Sequence, residues 1–160
     1  MRSGDLFGLK WKNVKVYEKN DYKWAEIIVE GETSKVKQDR VFVARGGKYF
    51  ERLKRLSKHT KDNDFVFTLN NGTHWHGKNR RALEYHFDKL LNGVGITDAK
   101  ERKLELYSCR HYGISKRVNN GANIVQLAKD CGTGVEHITK TYYHTNLRNS
   151  ERNMAIMYEE

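Results

Sequence analysis

The hydrophobic pattern changes its period part of the way along the chain, and this change constrains the fold most. Short runs rich in β-branched and aromatic residues have the length of strands, and Asn20-Asp21 forms a turn between the first two. These runs are 14–18, 25–30 and 39–44. Beyond Gly46-Gly47 the apolar residues recur at helical spacing instead. Three strands followed by helices predict an α+β fold, mainly helical, in which a small three-stranded antiparallel sheet packs with a helical bundle.

Helical spacing predicts most of the remaining elements. Helices are expected at 48–58, 78–91, 106–118, 123–130, 134–143 and 147–158, with a mixed loop and short helix at 93–103. The faces expected to point inward carry Tyr49, Phe50, Leu53 and Leu56 in the first helix, and Leu83, Phe87, Leu90 and Leu91 in the second. Residues 65–68 form a short apolar stretch that ends at a turn over 70–72. Gly121 and Gly132 are expected to end helices.

The charge balance points to a polyanionic partner. Lys and Arg number 30 against 20 Asp and Glu, which gives a formal net charge of +10 and an isoelectric point near 9.6. No apolar run approaches the ~20 residues of a membrane span, and the first residues contain no apolar signal-peptide core. The two cysteines do not make a disulfide framework, so a reducing compartment is expected. No linker composition interrupts residues 1–160, which are therefore interpreted as one domain.

Residues of chemical interest cluster in a few short motifs. The closing half contains Tyr107-Ser108-Cys109-Arg110-His111, then Gly132-Thr133, then Tyr142-Tyr143-His144. The opening contains Arg2-Ser3-Gly4-Asp5-Leu6, followed by Leu9-Lys10-Trp11. Between these, Lys35 lies in a basic turn, five residues before Arg40, which opens a strand. Each motif alone is weak, and their order along the chain carries the argument.

These motifs, in this order and at these intervals, resemble the catalytic domain of the tyrosine recombinases of the phage integrase family, from residue 1 to about residue 147. The nine-residue step from Thr133 to Tyr142 and the Tyr-x-His ending at His144 are the most specific intervals. The resemblance implies site-specific DNA recombination by strand cleavage and rejoining through a 3′-phosphotyrosyl intermediate. The catalytic residues that it implies are Arg2, Lys35, Tyr107, Arg110, Thr133 and Tyr142, with Asp5, His111 and His144 as supporting residues.

Two of these positions depart from the commonest pattern of the family. Tyr107 stands where the family more often has His, and Thr133 stands where it more often has His or Trp. Some phage-type integrases are similar to this chain at both positions, so the departures indicate a subfamily variant. They leave the proton-transfer roles of Tyr107 and Thr133 open.

The residue types suit attack on a phosphodiester. Attack builds negative charge on the equatorial oxygens of the phosphate, and the guanidinium groups of Arg2 and Arg110 would clamp these oxygens with bidentate donors. A phenol has a reference pKa of about 10, and adjacent arginines favour its nucleophilic anion. Lys35 is a plausible proton donor to the leaving 5′-hydroxyl. Because the covalent link to Tyr142 conserves the bond energy, neither a cofactor nor a metal is expected.

Two assignments compete with a near neighbour in the sequence. Tyr142 competes with Tyr143, and the spacing to His144 favours Tyr142. Neighbouring residues on a helix point about 100° apart, so only one of the two tyrosines faces the arginines. Lys35 competes with Lys37 in the same basic turn, where Lys35 is favoured.

The other candidates each have a structural alternative. Tyr107 either packs in the core or bonds a phosphate through its hydroxyl. Thr133 is either a site residue or the N-cap of the helix that follows it. His111 is expected to be a buried, hydrogen-bonding histidine of structural role. Asp5 is interpreted as a local orienter or a helix-start acid, and His144 either lies near the site or packs the tyrosine segment.

A metal site is the weaker interpretation of the remaining motif. His74-Trp75-His76 could be combined with Cys109 and Cys131, but the cysteines lie 22 residues apart and no Cys-x-x-Cys exists. A solvated loop anchored by Trp75 is the preferred interpretation, and no metal ligand is assigned.

The expected partner is double-stranded DNA, on which the full-length protein would assemble as a tetramer without membrane contact. The expected location is the cytoplasm of a bacterial or phage host, in association with DNA. Since family members usually carry helices and a DNA-binding domain before the first arginine, the chain is expected to be N-terminally truncated.

Two other functions are the alternatives to a recombinase, namely a non-catalytic DNA-binding fragment and a type IB topoisomerase. A covalent DNA adduct separates the enzymes from the binding module, and strand exchange separates the recombinase from the topoisomerase.

Overall fold

The computed structural model describes residues 1–32, 37–69, 71–73 and 80–143. The chain divides into two compact units. Unit 1 is Met1–Leu106 and unit 2 is Tyr107–Glu160. The sheet and three of the helices described below belong to unit 1, and the three helices that follow belong to unit 2.

Unit 1 begins with a short helix and a three-stranded sheet. Helix α1 spans Ser3–Phe7, and a 3-10 turn at Trp11–Asn13 leads into the sheet. The strands are β1 (Val14–Lys19), β2 (Tyr22–Val29) and β3 (Arg40–Arg45). Each strand pairs antiparallel with its neighbour in sequence, in the order β1-β2-β3. The predicted meander is confirmed.

The first hairpin of the sheet turns where the sequence predicts it. Asn20 and Asp21 both have positive φ, at 51° and 61°. Two consecutive residues with positive φ form a tight turn whose twist matches that of the paired strands. Glycine adopts positive φ most easily, and Asn and Asp come next. Lys19 consequently lies opposite Tyr22 in the register.

Helix α2 (Gly47–Leu56) packs against β1 and β2. A Cβ on Gly47 would lie 2.6 Å from the carbonyl oxygen of Trp24, so only glycine permits this close approach. The predicted inward face is half correct. Phe50 and Leu53 pack against the core of unit 1, whereas Tyr49 and Leu56 are exposed. The sheet covers a narrower stripe of the helix than the apolar pattern suggests. The buried core residues are Leu9, Trp11, Ala25, Ile27, Val29 and Val66.

In the apolar stretch at 65–68, Phe65 forms an isolated β-bridge with Lys10. The segments that follow differ from the prediction in two places. Helix α3 is described over Arg80–Gly93. It buries Leu91, while Leu90, predicted to point inward, is exposed. Residues 94–103 contain turns and no helix.

Unit 2 consists of consecutive short helices over its described residues. They are α4 (Ser108–Asn119), α5 (Ile124–Cys131) and α6 (Val135–Tyr142). Gly121 and Gly132 have positive φ and follow the ends of α4 and α5, so both predicted stops are confirmed. The core of the unit is formed by Ile114, Val118, Leu127, Ala128, Cys131, Ile138 and Tyr142. The predicted helix over 147–158 lies outside the described residues.

The sheet and the helices confirm the predicted α+β, mainly helical class. Among the described helices, none combines the length and the apolar character that crossing a membrane requires.

Candidate active site

Tyr142 is the last residue of α6, and its position separates it from Tyr143. The Tyr142 side chain belongs to the core of unit 2 and is only 4% exposed, whereas Tyr143 is 39% exposed. The hydroxyl oxygen of Tyr142 lies 2.7 Å from Nδ1 of His111 on α4. The buried ring therefore presents its hydroxyl to a polar partner on another helix.

The surroundings of Tyr142 act on its pKa in opposite directions. Burial raises the pKa of the phenol above its ordinary value, and this effect is the largest. The positive charge of Arg110 lowers the pKa of Tyr142 but does not outweigh burial. Tyr107 and Cys131 raise the pKa of Tyr142 further. The phenol is therefore neutral at physiological pH and carries a proton that it can donate.

Arg110 lies in the first turn of α4 and is fixed by a single backbone contact. Its Nη2 donates a hydrogen bond of 2.8 Å to the carbonyl oxygen of Cys131, the last residue of α5. Such a carbonyl at the end of a helix has no intrahelical partner. The Nε and Nη1 atoms of Arg110 are buried and have no hydrogen-bond partner among the described residues. A guanidinium that is held at one nitrogen and has two further unpartnered nitrogens is suited to bind an anion.

Tyr107 and His111 complete the cluster around Arg110. Tyr107 directly precedes α4 and is exposed, so the core-packing alternative for it is wrong. Its ring meets the His111 ring edge-on at 4.9 Å between centroids, and Cζ of Arg110 lies 6.0 Å from the centroid of the Tyr107 ring. His111 makes the hydrogen bond predicted for it, but it is exposed rather than buried.

Thr133 lies in the short connection between α5 and α6. Its backbone N–H donates to the carbonyl of Ala128, which closes the end of α5. The N-cap of α6 is Gly134, so the interpretation of Thr133 as that cap is wrong. The glycine takes the extended N-cap conformation, with φ −77° and ψ 151°, and leaves Thr133 one residue outside the helix.

Asp5 forms a separate charged cluster in unit 1. Asp5 is a buried residue with 2% exposure. Its Oδ2 accepts hydrogen bonds from the backbone N–H of Arg2 and from Nη2 of Arg40, both at 2.9 Å. This agrees with the interpretation of Asp5 as a local orienter. Nη1 of Arg2 is buried and has no hydrogen-bond partner among the described residues.

The remaining predicted residues are placed only in part. Lys35, His144 and the motif His74-Trp75-His76 lie outside the described residues. Lys37, the alternative to Lys35, donates from Nζ to the carbonyl of Glu32 at 3.3 Å. Cys109 is exposed, Cys131 is buried, and both are free thiols. Within the described ranges, no three His, Cys, Asp or Glu side chains form a group able to hold a metal ion.

Three contacts were missed by sequence reasoning. The carbonyl of Cys131 is a backbone group, which carries no side-chain pattern. His137 lies edge-on to Tyr142, with 6.0 Å between ring centroids, and no motif contains it. Arg40 pairs with Asp5. The only sequence signal for a role of Arg40 was its position at the start of the strand after the basic turn.

Comparison with solved structures gives the class of fold. Scans against protein-family models and curated proteins found no match. The chain is similar in fold to XerA recombinase, whose crystal structure is known. The two share 22% sequence identity with a TM-score of 0.60, over 99% of this chain and 52% of XerA recombinase. This chain therefore spans about half the length of XerA recombinase, and the likeness concerns the fold.

Proposed function

We propose that this chain is the catalytic part of a tyrosine recombinase, which cleaves and rejoins DNA strands for site-specific recombination. The observation that carries the proposal is the arrangement in unit 2. Arg110 has two buried nitrogens without a partner among the described residues, and Tyr142, whose pKa its charge affects, presents its hydroxyl to His111. The likeness to XerA recombinase supports the same function.

Arg110 is proposed to hold the phosphate during attack. A phosphodiester repels nucleophiles, and attack adds negative charge to its equatorial oxygens. The Nη2 contact with the Cys131 carbonyl holds the guanidinium in place, and Nε and Nη1 remain as buried donors for phosphate oxygens. Donors that are already oriented stabilise the developing charge without reorganisation.

Tyr142 is proposed as the nucleophile. Its oxygen would bond to phosphorus while the bond to the 5′-oxygen breaks, which leaves a 3′-phosphotyrosyl link and a 5′-hydroxyl. The link preserves the energy of the phosphodiester for rejoining. The roles of Lys35 as proton donor to the 5′-oxygen and of Arg2 as a second phosphate-binding arginine are proposed from their motifs.

Double-stranded DNA is the proposed partner. The net charge of +10 favours a polyanion, and a recombinase acts on duplex substrates. Assembly as a tetramer on DNA is also proposed, from the resemblance of the motifs to those of tyrosine recombinases.

The decisive experiment is the formation of a covalent adduct on a nicked duplex that traps the cleaved strand. Tyr142→Phe should abolish the adduct, because the attacking oxygen is gone, and should leave DNA binding intact. Tyr143→Phe is the matched control, since Tyr143 is the adjacent, exposed tyrosine. Denaturing gels of protein and labelled DNA measure both.

The outcomes separate the alternatives. An adduct with Tyr142→Phe but not with Tyr143→Phe would move the nucleophile by one residue. DNA binding by the unmodified chain without any adduct would support a binding module. Adducts together with relaxation of supercoils, but without exchange between two sites, would support a topoisomerase.

A further inference from the structure

We propose that His111 is the general base that accepts the proton of the Tyr142 hydroxyl during cleavage. The inference rests on the proposed function and deepens it. The Tyr142 hydroxyl must lose its proton to attack phosphorus, and His111 Nδ1 lies within hydrogen-bond distance of that oxygen.

The contact between the two side chains carries the proposal. The Tyr142 oxygen and His111 Nδ1 are 2.7 Å apart, a distance at which the phenol donates directly to a neutral imidazole. The rings are tilted by 37° with their centroids 5.6 Å apart, so the contact is made at the ring edges. His111 follows Arg110 on α4, and one helix therefore positions both the phosphate-binding cation and the proton acceptor.

The location of His111 also suits the fate of the proton. The Tyr142 ring is buried, and burial raises the pKa of its phenol, so loss of the proton directly to water is unfavourable. The imidazole is exposed, so water can solvate the positive charge that it gains when it accepts the proton.

Charged and titratable groups of the neighbouring elements lie near Tyr142 and His111. Arg110 lies on α4, Tyr107 directly precedes α4, and Cys131 ends α5. His137 lies on α6 itself, edge-on to the Tyr142 ring. Of these, Arg110 stabilises the phenolate that forms when the proton leaves. His137 has no hydrogen bond to the phenol oxygen among the described contacts, so it serves as the matched control.

The step balances as follows. His111 is neutral with its proton on Nε2, and Nδ1 takes the proton from the Tyr142 oxygen. That oxygen forms the bond to phosphorus as the bond from phosphorus to the 5′-oxygen breaks. The 5′-oxygen takes a proton from a separate donor, the role proposed for Lys35. The imidazolium of His111 returns its proton to the phenolate when the strand is rejoined.

The first experiment examines the protein without DNA. Nitrogen chemical shifts of His111 should show Nδ1 without hydrogen and Nε2 with hydrogen above neutral pH. Tyr142→Phe should change the Nδ1 shift of His111, while Tyr143→Phe should not. A proton on Nδ1, donated to the phenol oxygen, would overturn the proposal.

The second experiment compares the pH dependence of adduct formation. At pH 7, His111→Gln should lower the rate by about 10²- to 10⁴-fold, as expected for loss of a general base. The deficit should shrink as hydroxide takes over at high pH, and added imidazole should partly restore His111→Ala. His137→Gln should keep the rate and the pH profile of the unmodified protein.

A substrate with sulfur in place of the 5′-bridging oxygen separates the base from the acid. Thiolate leaves without a proton, so this substrate should rescue a variant that lacks the leaving-group acid but should not rescue His111→Gln. Three results with His111→Gln would each overturn the proposal. They are full rescue by the sulfur substrate, a pH profile like that of the unmodified protein, and a rate increase caused by release of a restraining contact. Failure of the proposed function has a different signature, namely no adduct from the unmodified chain.

Discussion

Arg40 in unit 1 and Arg110 in unit 2 are both arginines with shielded guanidinium groups, yet their partners differ in kind. Arg40 contacts the carboxylate of Asp5 at 2.9 Å, and both side chains are almost fully buried. Within the described residues, the hydrogen bond of Arg110 goes to the neutral carbonyl of Cys131. The first charge is neutralised within the fold, while the second has no counter-charge among the described residues. The difference distinguishes an arginine that maintains structure from one that is available for an anion.

The largest effect is expected at the neutralised pair. Asp5→Ala should lower the free energy of unfolding by about 3–5 kcal/mol, because it leaves the Arg40 charge buried without its carboxylate. Urea denaturation followed by tryptophan fluorescence measures this, since all three tryptophans belong to unit 1. Glu51→Ala removes the exposed partner of Lys23 and should change stability by less than about 1 kcal/mol. Equal effects of the two variants would contradict the distinction.

Arg110→Ala should affect activity far more than stability. Cleavage should fall by at least ~10²–10³-fold, the scale for removal of one preorganised donor. Loss of the hydrogen bond to Cys131 should lower the free energy of unfolding by only about 1 kcal/mol. Arg110→Lys should restore little, because an ammonium lacks the planar fork. Rates of adduct formation and urea melts measure the two effects, and near-normal cleavage by Arg110→Ala would refute the role.

Tyr142 gives unit 2 an alkaline sensitivity. The folded-state pKa of its phenol is raised above the unfolded value of about 10, mainly by burial. The folded state therefore has its full stability below pH 10 and loses part of it as the pH rises further. Tyr142→Phe should flatten this loss. Thermal melts monitored by circular dichroism between pH 8 and about 11 test it, and an unchanged alkaline limb in the variant would contradict it.

The smallest effect concerns the salt dependence of DNA binding. If roughly 4–6 basic groups contact phosphates, the slope of log affinity against log salt should be about −4 to −5. Arg110→Ala should make the slope shallower by about 0.9, the share of one phosphate. Lys23→Ala, which removes a charge already paired with Glu51, should leave the slope unchanged. Titrations of a labelled duplex at several salt concentrations measure these slopes, and salt-independent binding would count against a DNA-binding surface.

Local structure was predictable where one or two residues determine it. Gly121, Gly132 and the Asn20-Asp21 turn depend on backbone conformations that few residues adopt, and the structure confirms them. The exposure of Leu90 was not predictable, because helical spacing identifies residues that share a face but not how much of that face is covered.

The candidate site shows the same division. The motif with Arg110 and the motif with Tyr142 were assigned from the sequence, and both belong to unit 2. The contact of Arg110 with a backbone carbonyl and the exposure of His111 depend on how three helices pack, which no spacing encodes. The N-cap at Gly134 rather than Thr133 is a shift of one residue, the usual uncertainty of a helix boundary.

The burial of the Tyr142 ring has an evolutionary consequence. The ring is part of the core of unit 2, so packing selects for an aromatic residue at this position independently of any reaction. Replacement by Phe removes only the hydroxyl, whereas replacement by Ala would leave a cavity worth about 3–5 kcal/mol. A descendant released from selection for cleavage is therefore expected to acquire Phe at position 142 and to persist as a folded protein. Loss of the proposed reaction would then take a single substitution, which removes the hydrogen bond to His111 and keeps the packing of the ring.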